Sequence, residues 1–406
     1  MRSNSLQLTL VLFCTALGSL AAPQDQTHDN RLNALMIALR SEHVDLRSRA
    51  AEELFVDYAA DSNVLARAIL AFASPMNVDA QKGPMLTLHS TGKPALPTLI
   101  QCYPAARDNA SIAMCIGRYG EEARLAIPVL CNQLERLGVS PSSKATLRVI
   151  LANIGYTNRA NLEAITASLK DDQLVAGDTM LAMGLVQAHS WLTEDIKSAI
   201  TRAIESNSTS RFPAVLAFSA FGERAEGAPA LLEKAERSQG SDDRAFELVA
   251  QFARAKVDRQ NRQKLLQDVL QRLADSSAYE PTAIALFGIA WAMLDDEMLG
   301  LISNHTCDTN QLVQLGALRI LEVIGMRGRK ATESVLSVAK DSGNEKTRSE
   351  CFRVLGQTLP YARAGALEVC LESERSQSVR FAIEHARCLI ALNLYAATNA
   401  PAKPSN

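Results

Sequence analysis

His385 and Cys388 stand three residues apart, which on a helix puts two metal-binding side chains on one face. The run His305-Thr306-Cys307-Asp308 gathers three more donors at a turn. A structural zinc site wants four ligands, and neither group has a second pair nearby. Both read as a histidine beside a buried cysteine, so no metal residue is assigned. Ser337-Val338-Ala339-Lys340 fits SxxK, in which a lysine sits one turn from a nucleophilic serine. Here the match falls late in a predicted helix, and neither SDN nor KTG accompanies it. No GxSxG elbow, P-loop or GxGxxG turn occurs, and six histidines are a thin supply of general bases. The acidic pairs Asp171-Asp172, Asp242-Asp243 and Asp295-Asp296 lack the spaced oxygens of a calcium loop. They read as charges at helix N-termini, where they oppose the helix dipole favourably. No catalytic and no cofactor-binding residue is assigned either, and no cofactor is expected.

The elements that carry these residues repeat. A polar residue followed by apolar residues at +3 and +7 recurs at Arg47, Gln81, Asn109, Lys144, Gln173, Arg211, Arg244, Ser277, Gln314, Arg348 and Arg380, at a mean spacing near 33. The +7 position is apolar in nine of these eleven units; Gln251 and Arg387 are the exceptions and read as one-residue slips. At +11 stand Gly92, Gly120, Gly155, Gly184, Gly222, Gly288 and Gly325, where a helix C-cap needs positive φ. Several of these glycines lead into a second apolar run that opens on proline, as in Ala126-Ile127-Pro128 and Ala228-Pro229. Each unit therefore reads as two helices and a short turn. Asp108, Ser142, Asp242 and Ser376 are the expected N-caps of second helices.

One such pair cannot bury its apolar face, so neighbours must stack. The expected fold is all-α: an α-solenoid of about eleven antiparallel helix pairs over 31–395, drawn out as a curved rod with a contour of roughly 100 Å. Composition agrees. Aromatics are 5%, and 20 Gly with 14 Pro in 406 residues are too few for a large all-β protein.

Residues 1–21 have the layout of a secretory signal. Arg2 is the only charge, Leu8 to Leu20 is apolar, and Ser19-Leu20-Ala21 suits cleavage after Ala21. An uncleaved anchor is the alternative. Cys14 does not make a lipoprotein site, because Phe13 stands where a small residue is wanted. Residues 22–30 and 396–406 read as disordered flanks. Seven cysteines remain after cleavage, read as small buried residues, with any disulfide pairing left open. The chain then carries 41 basic and 44 acidic residues, a balance that offers no footprint for nucleic acid. No later stretch is apolar for ~18 residues, so no integral membrane segment is expected after cleavage.

The strings Asp45-Leu46-Arg47-Ser48-Arg49-Ala50-Ala51 and Val313-Gln314-Leu315-Gly316-Ala317-Leu318-Arg319, with Val379-Arg380, resemble the second-helix signature of HEAT-like repeats. The bacterial short-HEAT type, also seen in phycobilin lyases, is similar in pattern over roughly residues 30–395. The resemblance implies that Arg47, Arg348 and Arg380 ladder to acidic residues of neighbouring repeats. It does not extend to deoxyhypusine hydroxylase, since this chain has no His-Glu dipeptide, only Glu42-His43 and Glu384-His385. The expected function is an exported (periplasmic or secreted), non-enzymatic scaffold that binds a protein partner through its concave face. The alternative is an enzyme or enzyme-maturation factor, lyase-like or metal-dependent, on the same scaffold. Trp191 and Trp291 are the candidate anchor residues, with Trp291 the more suited to the core.

Overall fold

A computed structural model describes residues 28–40, 44–72, 88, 94–106, 109–136, 138–170, 173–187, 191–206, 210–220, 227–237, 244–274, 285–286 and 288–398. The expected signal (1–21), Gln81, Asp108, Asp171-Asp172, Asp242-Asp243 and Ser277 lie outside them, as does the side chain of Trp291.

The described residues are helical throughout, with no strand among them. In chain order the helices are α1 (His28–Ala38), α2 (Val44–Asp57), α3 (Ser62–Phe72), α4 (Ala95–Cys102), α5 (Asn109–Arg118), α6 (Ile127–Glu135), α7 (Pro141–Asn153), α8 (Arg159–Ser168), α9 (Gln173–Leu185) and α10 (Glu194–Glu205). There follow α11 (Arg211–Ala220), α12 (Ala228–Arg237), α13 (Arg244–Val257), α14 (Arg262–Leu273), α15 (Asp296–His305), α16 (Gln311–Ile324), α17 (Thr332–Asp341), α18 (Glu345–Thr358), α19 (Gly365–Ser373) and α20 (Gln377–Thr398). The helical array thus starts three residues before 31 and runs three beyond 395. Short 3₁₀ turns cover Gly120–Ala126 and Gly325–Ala331, and one π-helical turn covers Ile289–Met293.

The repeat is real. Nine of the eleven anchors are described, and each lies within the first four residues of a helix. Their +7 residues Leu54, Ile116, Leu151, Met180, Phe218, Leu321 and Leu355 are buried, each worth about 1.5–3 kcal/mol of transfer. The inner layer runs α5–α7–α9–α11–α13 by successive packing and continues through α14 to α16, α18 and α20. The chain is an α-solenoid.

Its ends meet. α1 packs on α20, and α2 touches both α20 and the Gly325–Ala331 turn. The expected curved rod is therefore a closed array. A buried ionic seam joins the two ends. Arg31 Nε donates to Glu53 Oε1 (2.8 Å), and its guanidinium lies 4.0 Å from the centre of the Tyr361 ring. Arg49, fully buried, donates to the carbonyls of Gln357 and Leu359 at the end of α18. The Met326 N–H donates to Glu52 Oε2 (2.9 Å), and Arg329 pairs with Asp57 (3.0 Å). Gly325 adopts positive φ (54°), and a Cβ there would collide with the Glu52 carboxylate. The middle of the array is filled: the Ile289–Met293 turn touches α9, α11, α13 and α16.

Local chemistry explains the boundaries. Ser140, with Pro141 after it, caps α7 through the Ser143 N–H (3.1 Å), so the cap stands two residues before the expected Ser142. Ser376 caps α20 as expected, accepting from the Val379 N–H at 3.5 Å. Of the +11 glycines, Gly120, Gly155 and Gly325 have positive φ. Gly184 and Gly288 are instead helical and allow close packing: a Cβ at Gly184 would lie 2.8 Å from the Leu216 backbone, and one at Gly288 2.9 Å from Phe212. Gln251 is no slip; it occupies the buried face as an amide, 5% exposed, and accepts from Arg272 Nη1 (2.9 Å).

Candidate functional site

Two places gather polar groups from several elements. The first is a cleft of about 710 Å³ lined by Arg244, Gln251, Asp268, Gln271, Arg272 and Lys346, with Ala274 and Leu312. α13 and α14 form its floor, and the first turns of α16 and α18 form its lip. Arg272 is held by Gln251 and by an ion pair to Glu247, while Arg244 Nη2 donates to the Arg272 carbonyl (3.3 Å). Lys346, Gln271 and Asp268 are exposed, and Leu312 shows 42% of its surface. The cleft can make ionic, amide and limited apolar contacts.

The second is a charge cluster at the end of the π-helical plug. Arg327 leaves the turn after α16 and donates to the carbonyls of Ala290 (3.0 Å) and Leu294 (3.1 Å), closing the C-terminal end of the plug. Asp295 follows Leu294 and caps α15 by accepting from the Met298 N–H (2.9 Å). Lys256, from the last turn of α13, approaches Asp295 at 3.5 Å. Arg118, from the last turn of α5, donates to the Leu185 carbonyl (3.0 Å) at the end of α9. Burial pulls Arg118 down to about 9, and the charge of Arg327 pushes in the same direction. Burial also lowers Lys256 and Arg327, with Arg118 and Arg262 adding to the effect on Lys256. Burial raises Glu52 to about 7 against the opposing Met326 N–H, Arg49 and Arg327.

The residues singled out from sequence are scattered. His385 and Cys388 are half-buried on α20, and no second pair of ligands joins them among the described residues. His305 pairs with Asp308 (3.0 Å) at the end of α15, while Cys307 is exposed. Among the described residues no three His, Cys, Asp or Glu side chains converge to hold a metal ion. Ser337 donates to Asp341 (3.0 Å), away from Lys340. Asp295-Asp296 opens α15, as read from the sequence, and Asp295 also meets Lys256. Trp191 is buried and donates to Asn153, which excludes it as a surface anchor. Cys102, Cys115, Cys351 and Cys370 are buried free thiols. Arg348 ladders to Glu374 (2.8 and 3.0 Å), whereas Arg380 bonds the carbonyls of Leu371 and Glu374 instead of a carboxylate.

Nothing in the sequence singles out Arg118, Lys256 or Arg327. Each is a cation at a helix end, where the dipole alone explains it. Packing of nearby repeats brings each to its partner: Lys256 to Asp295, Arg327 to Leu294 and Arg118 to Leu185.

No helix among the described residues is long and apolar enough to cross a membrane. No family model and no curated protein matches the chain. Among solved structures, an engineered protein aligns over 89% of this chain and 98% of its own, at 16% identity and a TM-score of 0.24. Kap121p aligns over 92% of this chain at 14% identity and a TM-score of 0.31, and the chain spans about half of its length, 46%. At these TM-scores neither likeness bears on family or role, and the helical-repeat architecture rests on this chain's own helices and their packing.

Proposed function

We propose that this chain is an exported, non-enzymatic, HEAT-like scaffold that binds another protein, with the α13–α14–α16–α18 cleft at the centre of the docking surface. The observation that supports it is the cleft itself: an open depression of about 710 Å³ lined by charged and amide side chains from four helices. The ends of the array meet, so an open concave trough is replaced by this recess. Leu312 on its lip, beside Lys346, supplies an apolar contact within a polar rim, as protein interfaces do. Export is proposed from the signal-like residues 1–21.

Affinity capture with the mature chain, after mild crosslinking, should recover one stoichiometric partner. Leu312→Asp and Lys346→Glu should each weaken that recovery at least tenfold without changing the circular dichroism. Recovery unaffected by both variants removes the cleft from the reading. No partner, together with an activity in the purified chain, favours the enzyme or maturation-factor alternative. N-terminal sequencing of the mature protein should begin at Ala22.

A further inference from the structure

We infer that the seam between the two ends of the array is a proton-operated latch: protonated Glu52 holds α2 against the Gly325–Ala331 turn, and ionised Glu52 lets α1 and α2 part from the C-terminal helices while the other repeats stay folded. The carboxyl sits on the line of closure. It is buried, its hydrogen-bond donor is the Met326 N–H (2.9 Å), and Gly325 brings the turn so close that a Cβ would collide with it. Among the described residues no lysine or arginine pairs with it within 4.0 Å. A neutral carboxyl suits such a place, whereas a carboxylate with one donor and no ion pair is costly to keep from water.

The surrounding charges are committed elsewhere. On α2, Arg49 donates to the carbonyls of Gln357 and Leu359, Glu53 takes Arg31 from α1, and Asp57 takes Arg329 from the turn. Arg327, also on the turn, is bonded to Ala290 and Leu294, and Asp295 and Asp296 act on it as well as Glu52. Lys330 lies out at Asp296 (4.0 Å), and Arg67 on α3 is exposed. α20 carries Arg380 on the Leu371 carbonyl, Arg387 paired with Glu368, and Glu384 and His385, both half-buried. Arg49 and Arg327 favour ionised Glu52, but burial outweighs them and raises it to about 7. The seam is also a weak joint. Arg31 Nη1, Arg49 Nε, Glu53 Oε2 and Tyr361 Oη are buried there without a hydrogen bond, and each unmet group offsets part of what closure gains.

The test is hydrogen exchange of the full chain at pH 5 and pH 8, corrected for the chemical exchange rate and repeated in low urea. A group that moves from 4.5 to about 7 on closure shifts the balance of closed and open forms about seventyfold between those pH values, towards the open form at pH 8. Amides of α1 should therefore lose about seventyfold of their protection at pH 8, through an opening with weak urea dependence. Those of α9 and α11 should exchange more slowly and with strong urea dependence. Glu52→Gln, neutral at both pH values, should leave α1 equally protected at both. An imidazole is the other side chain that ordinarily titrates near neutrality, so His385→Gln is the control and should keep the seventyfold loss. Exchange of α1, α9 and α11 together in one strongly urea-dependent event overturns the latch, since the proton would then act on unfolding of the whole chain. So does a loss that persists in Glu52→Gln or vanishes in His385→Gln. The two pH values are compared within one variant, so a change in its overall stability does not mask the result. The latch shares no residue with the docking cleft, so its failure leaves that reading untouched.

Discussion

At the scale of single residues, the protein spends its charges on backbone rather than on chemistry. Arginines close the carbonyl ends of neighbouring helices again and again: Arg118 on Leu185, Arg211 on Ile204 and Ala235, Arg262 on Ala255, Arg327 on Leu294. Each satisfies acceptors that a helix end leaves open. Glu52, fully buried, is raised to about 7 by that burial. Its proton affinity is raised in the folded chain, so the folded state holds a proton that the unfolded state releases above about pH 4.5. The stability linked to that proton is complete below about pH 4.5 and is lost as the pH rises through about 7. The full span is worth about 3 kcal/mol at most. Urea unfolding at pH 5 and pH 8 should show this fall in the parent chain. Glu52→Gln, which keeps an acceptor for Met326, should flatten it. An equal fall in both chains would assign the pH dependence elsewhere.

At the scale of elements, the sequence was legible where a local rule is local in fact. The nine described anchors open helices, and Gly120, Gly155 and Gly325 take the positive φ that their positions suggested. It misled where tertiary contact reuses a residue. Gly184 and Gly288 have the spacing of caps but serve as gaps for another helix, and Gln251 has the place of an apolar residue but carries a hydrogen bond inward. Asn153 joins three elements at once, donating to the carbonyls of Gly117 (2.9 Å) and Val186 (3.0 Å) and accepting from Trp191. Nothing in its surroundings in the sequence announces that. Gly316 is the tightest approach: α14 and α16 meet backbone to backbone, and a Cβ would run into the Leu270 carbonyl. Gly316→Ala must push the two helices apart. It should destabilise the chain by about 2–3 kcal/mol in denaturant unfolding, despite the better helix propensity of alanine. An unchanged or raised midpoint would show that the helices separate freely.

At the scale of the whole molecule, the fold class was legible from the period and the shape was not. A repeat fixes how each unit meets the next, but small rotations accumulate, and no single unit records whether the last returns to the first. The seam records it: Arg31, Arg49, Glu52 and Glu53 on α1 and α2 are buried against the C-terminal turns. The charge cluster joins nearby repeats instead, with Lys256 on Asp295 and Arg327 on Leu294. Arg49→Met fills the space but leaves the Gln357 and Leu359 carbonyls without their donor. Removing one partner from such a buried charged contact costs about 3–5 kcal/mol. Small-angle scattering should show a larger radius of gyration for Arg49→Met, and hydrogen exchange should speed up in α1 and α20 before the rest. Uniform exchange with an unchanged radius would mean that closure does not depend on this seam.

The meeting of α1 with α20 also sets an order of events. α1 is synthesised before the other described helices, and its partner α20 after them. While the helices between them are made it waits with an apolar flank uncovered, and it is satisfied only after a loop of some hundreds of residues has closed, the slowest kind of contact to form. An open stack can begin folding at any repeat and stop at any repeat. This array cannot close until α20 is made, so a product cut short before α20 leaves the flank of α1 sticky as well.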